Sequence, residues 1–223
     1  TDDVVWWMRE KVLSLGLDTW FHPSVDVQRQ DNSDLYAFDG LSKFDIIQPG
    51  DLIHCDFGIS YLTLNTDTQE LGYILKPGET KAPEYLINAL KEGNRVQDIF
   101  TNNFVVGVSG NEILKKSLEE GRDEGLRPSI YTHPLGTYGH SAGTTIGMWD
   151  SQGGVPFTGD YPLQYNTAYA IELNTTVYIE EWKKDIRIML EVPGFFGKDG
   201  FRYIKGRQTE YILIGPNQEG LTY

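Results

Sequence analysis

The order of hydrophobic patterns along the chain predicts an α+β fold. A strand-like apolar run begins near residue 52, two consecutive helix-like stretches fill 83–124, and beyond Pro128 the chain breaks into short strand-like runs with glycine-rich turns. Strands, then helices, then strands again is segregated secondary structure, unlike a regular alternation of strand and helix. No P-loop or dinucleotide-binding glycine pattern occurs, which removes nucleotide binding as a first reading.

Each element has a local cause. Thr1-Asp2-Asp3 can cap a helix over 3–15, whose apolar residues Val4, Val5, Met8, Val12 and Leu15 recur at helical spacing before Gly16 stops it. The stretch from Phe21 to Phe44 reads as polar and turn-rich. Gln48-Pro49-Gly50-Asp51 then turns into a strand over 52–59, with Ile53, Cys55, Phe57 and Ile59 on one face and Leu52, His54, Asp56 and Gly58 on the other. A long helix is predicted from Pro83 to about Phe104. A second starts at Ser109, where Ser109-Gly110-Asn111-Glu112 has the spacing of a capping box, and it runs to about Glu124. Strands are expected at 129–133, 168–173, 175–180, 185–192 and 208–214.

Composition narrows the function. With 39% hydrophobic residues among 223, the chain suits one compact unit or two intimately packed halves, and needs no metal merely to hold its core. Thirty-two acidic against nineteen basic residues give a net charge of −13, which opposes nucleic acid as a partner. No apolar run is long enough for a transmembrane segment, and the single Cys55 offers neither an internal disulfide nor a cysteine metal knot. A soluble protein is expected, cytoplasmic or exported to a periplasm; cysteine usage leaves the compartment open.

Five residues draw attention as chemistry. Asp56 and Asp67 stand eleven residues apart and would face one another across a hairpin, where two carboxylates repel unless a cation or a proton intervenes; a pair of solvated turn residues is the plainer alternative. His140 lies between Gly139 and Ser141-Ala142-Gly143. Glu172 and Glu191 sit inside otherwise apolar strands, where an unpartnered carboxylate costs several kcal/mol or stays protonated.

That order, with its local wording, resembles the pita-bread metallopeptidases: methionine aminopeptidase, aminopeptidase P, prolidase and their relative creatinase. Asp56-Phe57-Gly58 and Asp67 resemble the family's Asp-x-Gly and second Asp, and Gly139-His140-Ser141-Ala142-Gly143 resembles its Gly-His-x-x-Gly. Ile171-Glu172 resembles its Ile-Glu-Pro with Leu173 in place of proline, and Glu191 resembles the last metal-binding glutamate.

The resemblance implies a pita-bread fold of curved antiparallel sheets covered by helices, with a dinuclear metal site. Asp56, Asp67, His140, Glu172 and Glu191 would bind two divalent ions, with Asp67 and Glu191 bridging. Manganese suits this oxygen-rich set best, with Co²⁺, Fe²⁺ or Zn²⁺ as alternatives. A metal-bridging hydroxide would attack the peptide carbonyl, and Glu172 would take the water proton and return it to the leaving amine. Two family histidines are out of place: the one seven residues after the metal-binding histidine falls on Gly147, and the one 17–18 residues before the first Asp falls on Asp39 or Phe38. His133, before Pro134, and His54, on the face of Asp56, are the candidates to replace them in catalysis; His133 could also bind substrate, and Arg187 could hold a substrate carboxylate.

The expected activity is thus a metal-dependent exopeptidase, an aminopeptidase or dipeptidase acting on Xaa-Pro or related bonds of a small peptide. The alternatives are a catalytically altered metal-binding or interaction protein on the same fold, and a creatinase-like hydrolase of another C–N bond. The expected organisation is one catalytic domain over 1–223, lacking the amino-terminal domain that aminopeptidase P and prolidase carry. Relatives associate as dimers or tetramers, so a homodimer is compatible with the resemblance.

Overall fold

A computed structural model describes residues 1–31 and 46–215. In chain order these form α1 (Asp2–Ser14), β1 (Asp18–Thr19), β2 (Ser24–Gln28), β3 (Leu52–Phe57), β4 (Ile59–Tyr61), β5 (Leu64–Asn65), β6 (Thr68–Ile74), α2 (Glu84–Asn102), α3 (Gly110–Asp123), β7 (Pro128–Ile130), β8 (His133–Pro134), β9 (Thr167–Ile179), β10 (Lys184–Gly197), β11 (Gly200–Tyr203) and β12 (Ile212–Ile214). Among the described residues no helix is long and apolar enough to cross a membrane.

Among the described residues the main sheet has nine strands, running β2-β3-β6-β10-β9-β7, with β11 on β10, β12 on β6 and β8 on β9. Every pairing in it is antiparallel except that of β12 with β6. A small sheet, β1-β4-β5, stands apart. α2 and α3 pack against β9, β10 and β7, and α1 against β1 and β2. α2 and α3 bring Leu86, Leu90, Phe100, Ile113 and Leu114 into one core with Ile171, Leu173, Ile188 and Leu190 of β9 and β10. α2 comes closest at Gly93, where a Cβ would lie 2.7 Å from Ile188 and 2.9 Å from Leu190, so a larger residue would force the helix away. Val5 of α1 packs on Val25 and Ile53 in a separate, smaller cluster.

Several expectations shift in detail. The first helix, the long helix over α2 and the capped helix α3 form where the sequence places them; Ser109 Oγ accepts from the Glu112 N–H at 3.2 Å and the Glu112 carboxylate accepts from the Ser109 N–H at 3.1 Å. The turn-rich stretch after Phe21 contains β2, whose short alternation of buried Val25 and Val27 with half-buried polar residues was hidden by its polar flanks. The expected strand over 52–59 stops at Phe57. A Cβ on Gly58 would fall 2.3 Å from Trp20 Nε1 and 2.6 Å from the Thr66 carbonyl, and Ile59 enters β4 instead of sharing a face with Phe57. The two strands expected at 168–173 and 175–180 are one, since Asn174 stays in the ladder opposite Met189. The last strand shrinks to Ile212–Ile214 because Gln208 pairs with β6 through its side chain, accepting from the Leu71 N–H at 2.8 Å and donating to the Leu71 carbonyl at 2.7 Å. β6 and β11 were not among the expected strands.

Candidate metal centre

The strand register builds the site. Glu172 pairs with Glu191, Glu191 with Gln69, Gln69 with Asp56, and Asp56 with Ser24, one unbroken rung across β9, β10, β6, β3 and β2. Residues directly opposite in a ladder project to the same face. Leu173, Leu190, Val25 and Cys55, one step along their strands, pack with the helices. Glu172 and Glu191 therefore point away from α2 and α3, and Asp56 points away from α1.

Two more groups reach the rung. Asp67 directly precedes β6 and is buried, so the β3–β6 pairing brings it to Asp56 as the eleven-residue spacing implied. His133 lies in β8, opposite Ala170 of β9, and is 3% exposed. Its Nδ1–H donates to the Pro134 carbonyl at 3.1 Å, which turns Nε2 towards Asp67 Oδ2 at 3.6 Å and Glu191 Oε1 at 3.7 Å. Ligand atoms of Asp56, Asp67 and Glu191 fall within 4.8 Å of one another, as do those of His133, Glu172 and Glu191, and those of Asp67, His133 and His140.

The electrostatics are those of anions crowded out of water. Burial pushes Asp56 up to about 6, against the pull of His54, and burial with Asp56 alongside pushes Asp67 up to about 8. Glu172 and Glu191 are held well above the usual carboxylate range, by burial first, then by Asp56 for Glu172 and by Glu172 for Glu191. Burial, with His140 beside it, lowers His133 to about 4, so its imidazole is neutral near pH 7. Among the described residues, Asp56 Oδ1, His133 Nε2 and Glu191 Oε1 are buried without a hydrogen-bond partner. Orphaned acceptors from three strands, turned to one place, fit a divalent cation: it supplies the charge that such a cluster otherwise has to take as protons.

The other candidates sit differently. His140 is exposed at the rim, its Nε2 3.4 Å from the Tyr131 hydroxyl and its ring 4.4 Å from that of His133; it shares no ligand group with Glu172. His54 is buried behind the rung, where Nε2 meets Gln69 Oε1 at 2.8 Å and Nδ1 lies 3.7 Å from Asp26 Oδ2. Arg187 is four residues along β10 from Glu191, about 13 Å by strand rise, and its backbone pairs with the Gln28 side chain. At Gly147 φ is 72° and a Cβ would meet the Ile130 carbonyl at 2.0 Å, so a histidine has no room there. Phe38 and Asp39 lie outside the described residues.

Sequence reasoning missed Gln69 and Trp20. Gln69 occupies the middle of the rung and donates to Glu172 Oε1 at 2.9 Å and Glu191 Oε2 at 3.0 Å. A polar residue two positions after Asp67, and so on its own strand face, was the available signal. Trp20 stands edge-on to His140 at 5.5 Å between ring centres, and its ring lies over Gly139, where a Cβ would fall 2.2 Å from it. Beside Gln69 and Glu191 opens a cavity of about 800 Å³, lined by Leu64, Leu135, Val192 and Ile204 among others.

By sequence, no protein-family profile matches the chain and no curated protein matches it at a significant level. By structure it is similar to the X-Pro aminopeptidase of Thermotoga maritima, with a TM-score of 0.71 at 17% identity, over 96% of this chain and 55% of that one. The methionine aminopeptidase of Rickettsia prowazekii matches with a TM-score of 0.65 at 12% identity, over 91% of this chain and 84% of the other. The N-terminal domain of the FACT complex subunit SPT16 from Cicer arietinum (chickpea) matches with a TM-score of 0.63 at 12% identity, over 93% and 50%. The chain spans 55% of the length of the first of these structures, a little over half. On strand topology and these likenesses, the chain has the pita-bread fold shared by X-Pro and methionine aminopeptidases.

Proposed function

We propose that this chain is the catalytic domain of a divalent-metal-dependent exopeptidase acting on short peptides, with the Xaa-Pro bond as its preferred target. The observation that carries this reading is the set of orphaned acceptors on Asp56, His133 and Glu191, converging beside Asp67 and Glu172. The X-Pro aminopeptidase likeness supports the substrate, whose scissile nitrogen carries no N–H.

Asp56, Asp67 and Glu191 would hold one ion, and Asp67, Glu191, His133 and Glu172 a second. The donors are four carboxylates and one imidazole, a set that favours Mn²⁺. When bound, two such ions supply an acidified water and polarise the scissile carbonyl. Glu172 is then the group that accepts a proton and returns it to the leaving amine. His133 takes the ligand role that the motif resemblance gave to His140. His133-Pro134-Leu135-Gly136 is itself a His-x-x-Gly, and His140 follows His133 by seven residues, the family spacing that Gly147 failed to supply. At the rim His140 is placed to hydrogen-bond the substrate carbonyl.

The SPT16 likeness shows that proteins of other kinds share this fold, but a binding scaffold gives no reason to crowd four buried and half-buried carboxylates together. The test is metal analysis and hydrolysis of Xaa-Pro peptides with Mn²⁺ on four proteins. Wild type is expected to bind close to two ions and turn over. Glu172→Gln should lose turnover by at least about a hundred-fold. His133→Ala should weaken metal binding, whereas His140→Ala should keep the metal and lose kcat; the reverse pattern would restore the first motif register. Absence of metal binding in wild type would overturn the reading.

A further inference from the structure

We propose that Gln69 is a positioning residue that sets which oxygens of Glu172 and Glu191 face the ions, and that His54 fixes Gln69 in that pose. The proposal rests on the metal-centre reading above.

Gln69 is 3% exposed and holds the central place in the rung, between Asp56 and Glu191. A primary amide has two N–H donors on one end and an acceptor oxygen on the other. Here the nitrogen donates to Glu172 Oε1 at 2.9 Å and to Glu191 Oε2 at 3.0 Å, while the oxygen meets His54 Nε2 at 2.8 Å. With both glutamates ionised, as metal ligands must be, the opposite orientation would set the amide oxygen against two carboxylate oxygens, so the pose is then unique. It follows that His54 carries its proton on Nε2 and donates it. His54 is itself 1% exposed, with Asp26 opposite it in the β2–β3 ladder.

The consequence falls on the glutamates. With Oε2 of Glu191 engaged by Gln69, the carboxylate cannot rotate freely, and Oε1 is the oxygen left without a partner and turned to His133 Nε2 at 3.7 Å. Glu172 is anchored by the same nitrogen from the neighbouring strand. One amide thus fixes both glutamate ligands that β9 and β10 contribute, and such outer partners typically change metal affinity by about 10–100-fold.

The experiment is Mn²⁺ titration by calorimetry on the full chain, with melting in chelator as the control for folding. Gln69→Met and Gln69→Leu are expected to weaken Mn²⁺ binding by about 10–100-fold. His54→Phe should weaken it in the same direction, and the Gln69→Met/His54→Phe double variant should bind no worse than Gln69→Met alone. A merely structural Gln69 would lower the melting temperature in chelator and leave the Mn²⁺ affinity of the folded protein unchanged, which would overturn the proposal. Additive losses in the double variant would overturn the His54 part. Should both Gln69 variants fail to fold, His54→Phe decides alone, an unchanged affinity counting against the proposal. A wild type that binds no Mn²⁺ would instead sink the metal-centre reading on which this one stands.

Discussion

Gly139 shows how a single missing carbon shapes the site. Three atoms of the Trp20 ring lie 2.2–2.3 Å from where its Cβ would be, and the same ring packs edge-on against His140. Trp20 is anchored in turn by its Nε1–H, which donates to the Thr66 carbonyl at 2.7 Å, immediately before Asp67. Gly139→Ala is therefore expected to push the indole off and displace His140, destabilising the fold by about 1–3 kcal/mol. The larger effect should fall on turnover, on the order of tenfold or more, because misplacing a group near the reacting bond is costly. Metal affinity should fall less than turnover, since the rung is not in the clash and only the Gly139 backbone contact of His133 is touched; peptide kinetics and Mn²⁺ titration on the same variant check both halves.

At the scale of elements, the hairpin of β9 and β10 does two jobs with one alternation. Its odd and even positions send Leu173 and Leu190 to the helices and Glu172 and Glu191 away from them. α2 and α3 hold that hairpin from behind, and α2 also reaches towards the site with Gln97, which lines the cavity beside Gln69 and Glu191. Loss of the α3 cap separates stability from chemistry: Ser109→Ala removes the acceptor for the Glu112 N–H. It should cost about 0.5–2 kcal/mol in urea denaturation and leave Mn²⁺ affinity and kcat unchanged. A change in metal binding would mean that α3 reaches the rung by a route the packing does not show.

For the whole molecule, the clustered acids couple folding to pH in the metal-free state. Asp56 and Asp67 are raised to about 6 and about 8, and Glu172 and Glu191 well above their usual range, chiefly by burial. These acids therefore keep protons between about pH 4 and 8 that the unfolded chain has released, so their contribution to stability falls as pH rises through that window, against a smaller opposite slope from His133 and His140 below about pH 6.5. In chelator the melting temperature should be lower at pH 8 than at pH 5. Added Mn²⁺ should remove most of the difference, because the ion binds the deprotonated ligands of the folded form. A metal-free melting temperature that rises with pH across this range would contradict the burial of these acids.

Much of this was legible in the chain. The α+β order, the two long helices and the capping box follow from local spacing and hydrogen-bond chemistry, which act within a few residues. The acidic members of the cluster were legible because a carboxylate inside an apolar strand signals a partner whatever that partner is. Other parts depended on residues distant in sequence meeting in space. Which histidine faces the glutamates could not be read locally, since His133-Pro134-Leu135-Gly136 and His140-Ser141-Ala142-Gly143 have the same wording; only the pairing of β8 with β9 brings His133 to Asp67 and Glu191. Gln69 gains its meaning only from a register that spans five strands, and Trp20 from a contact with Gly139 far along the chain. By itself the sequence determined the residue types of the site and the class of fold, because those follow from composition and local pattern. The tertiary structure decided which of them meet and which oxygen or nitrogen faces inward, because strand register and side-chain orientation are set by the packing of the whole sheet.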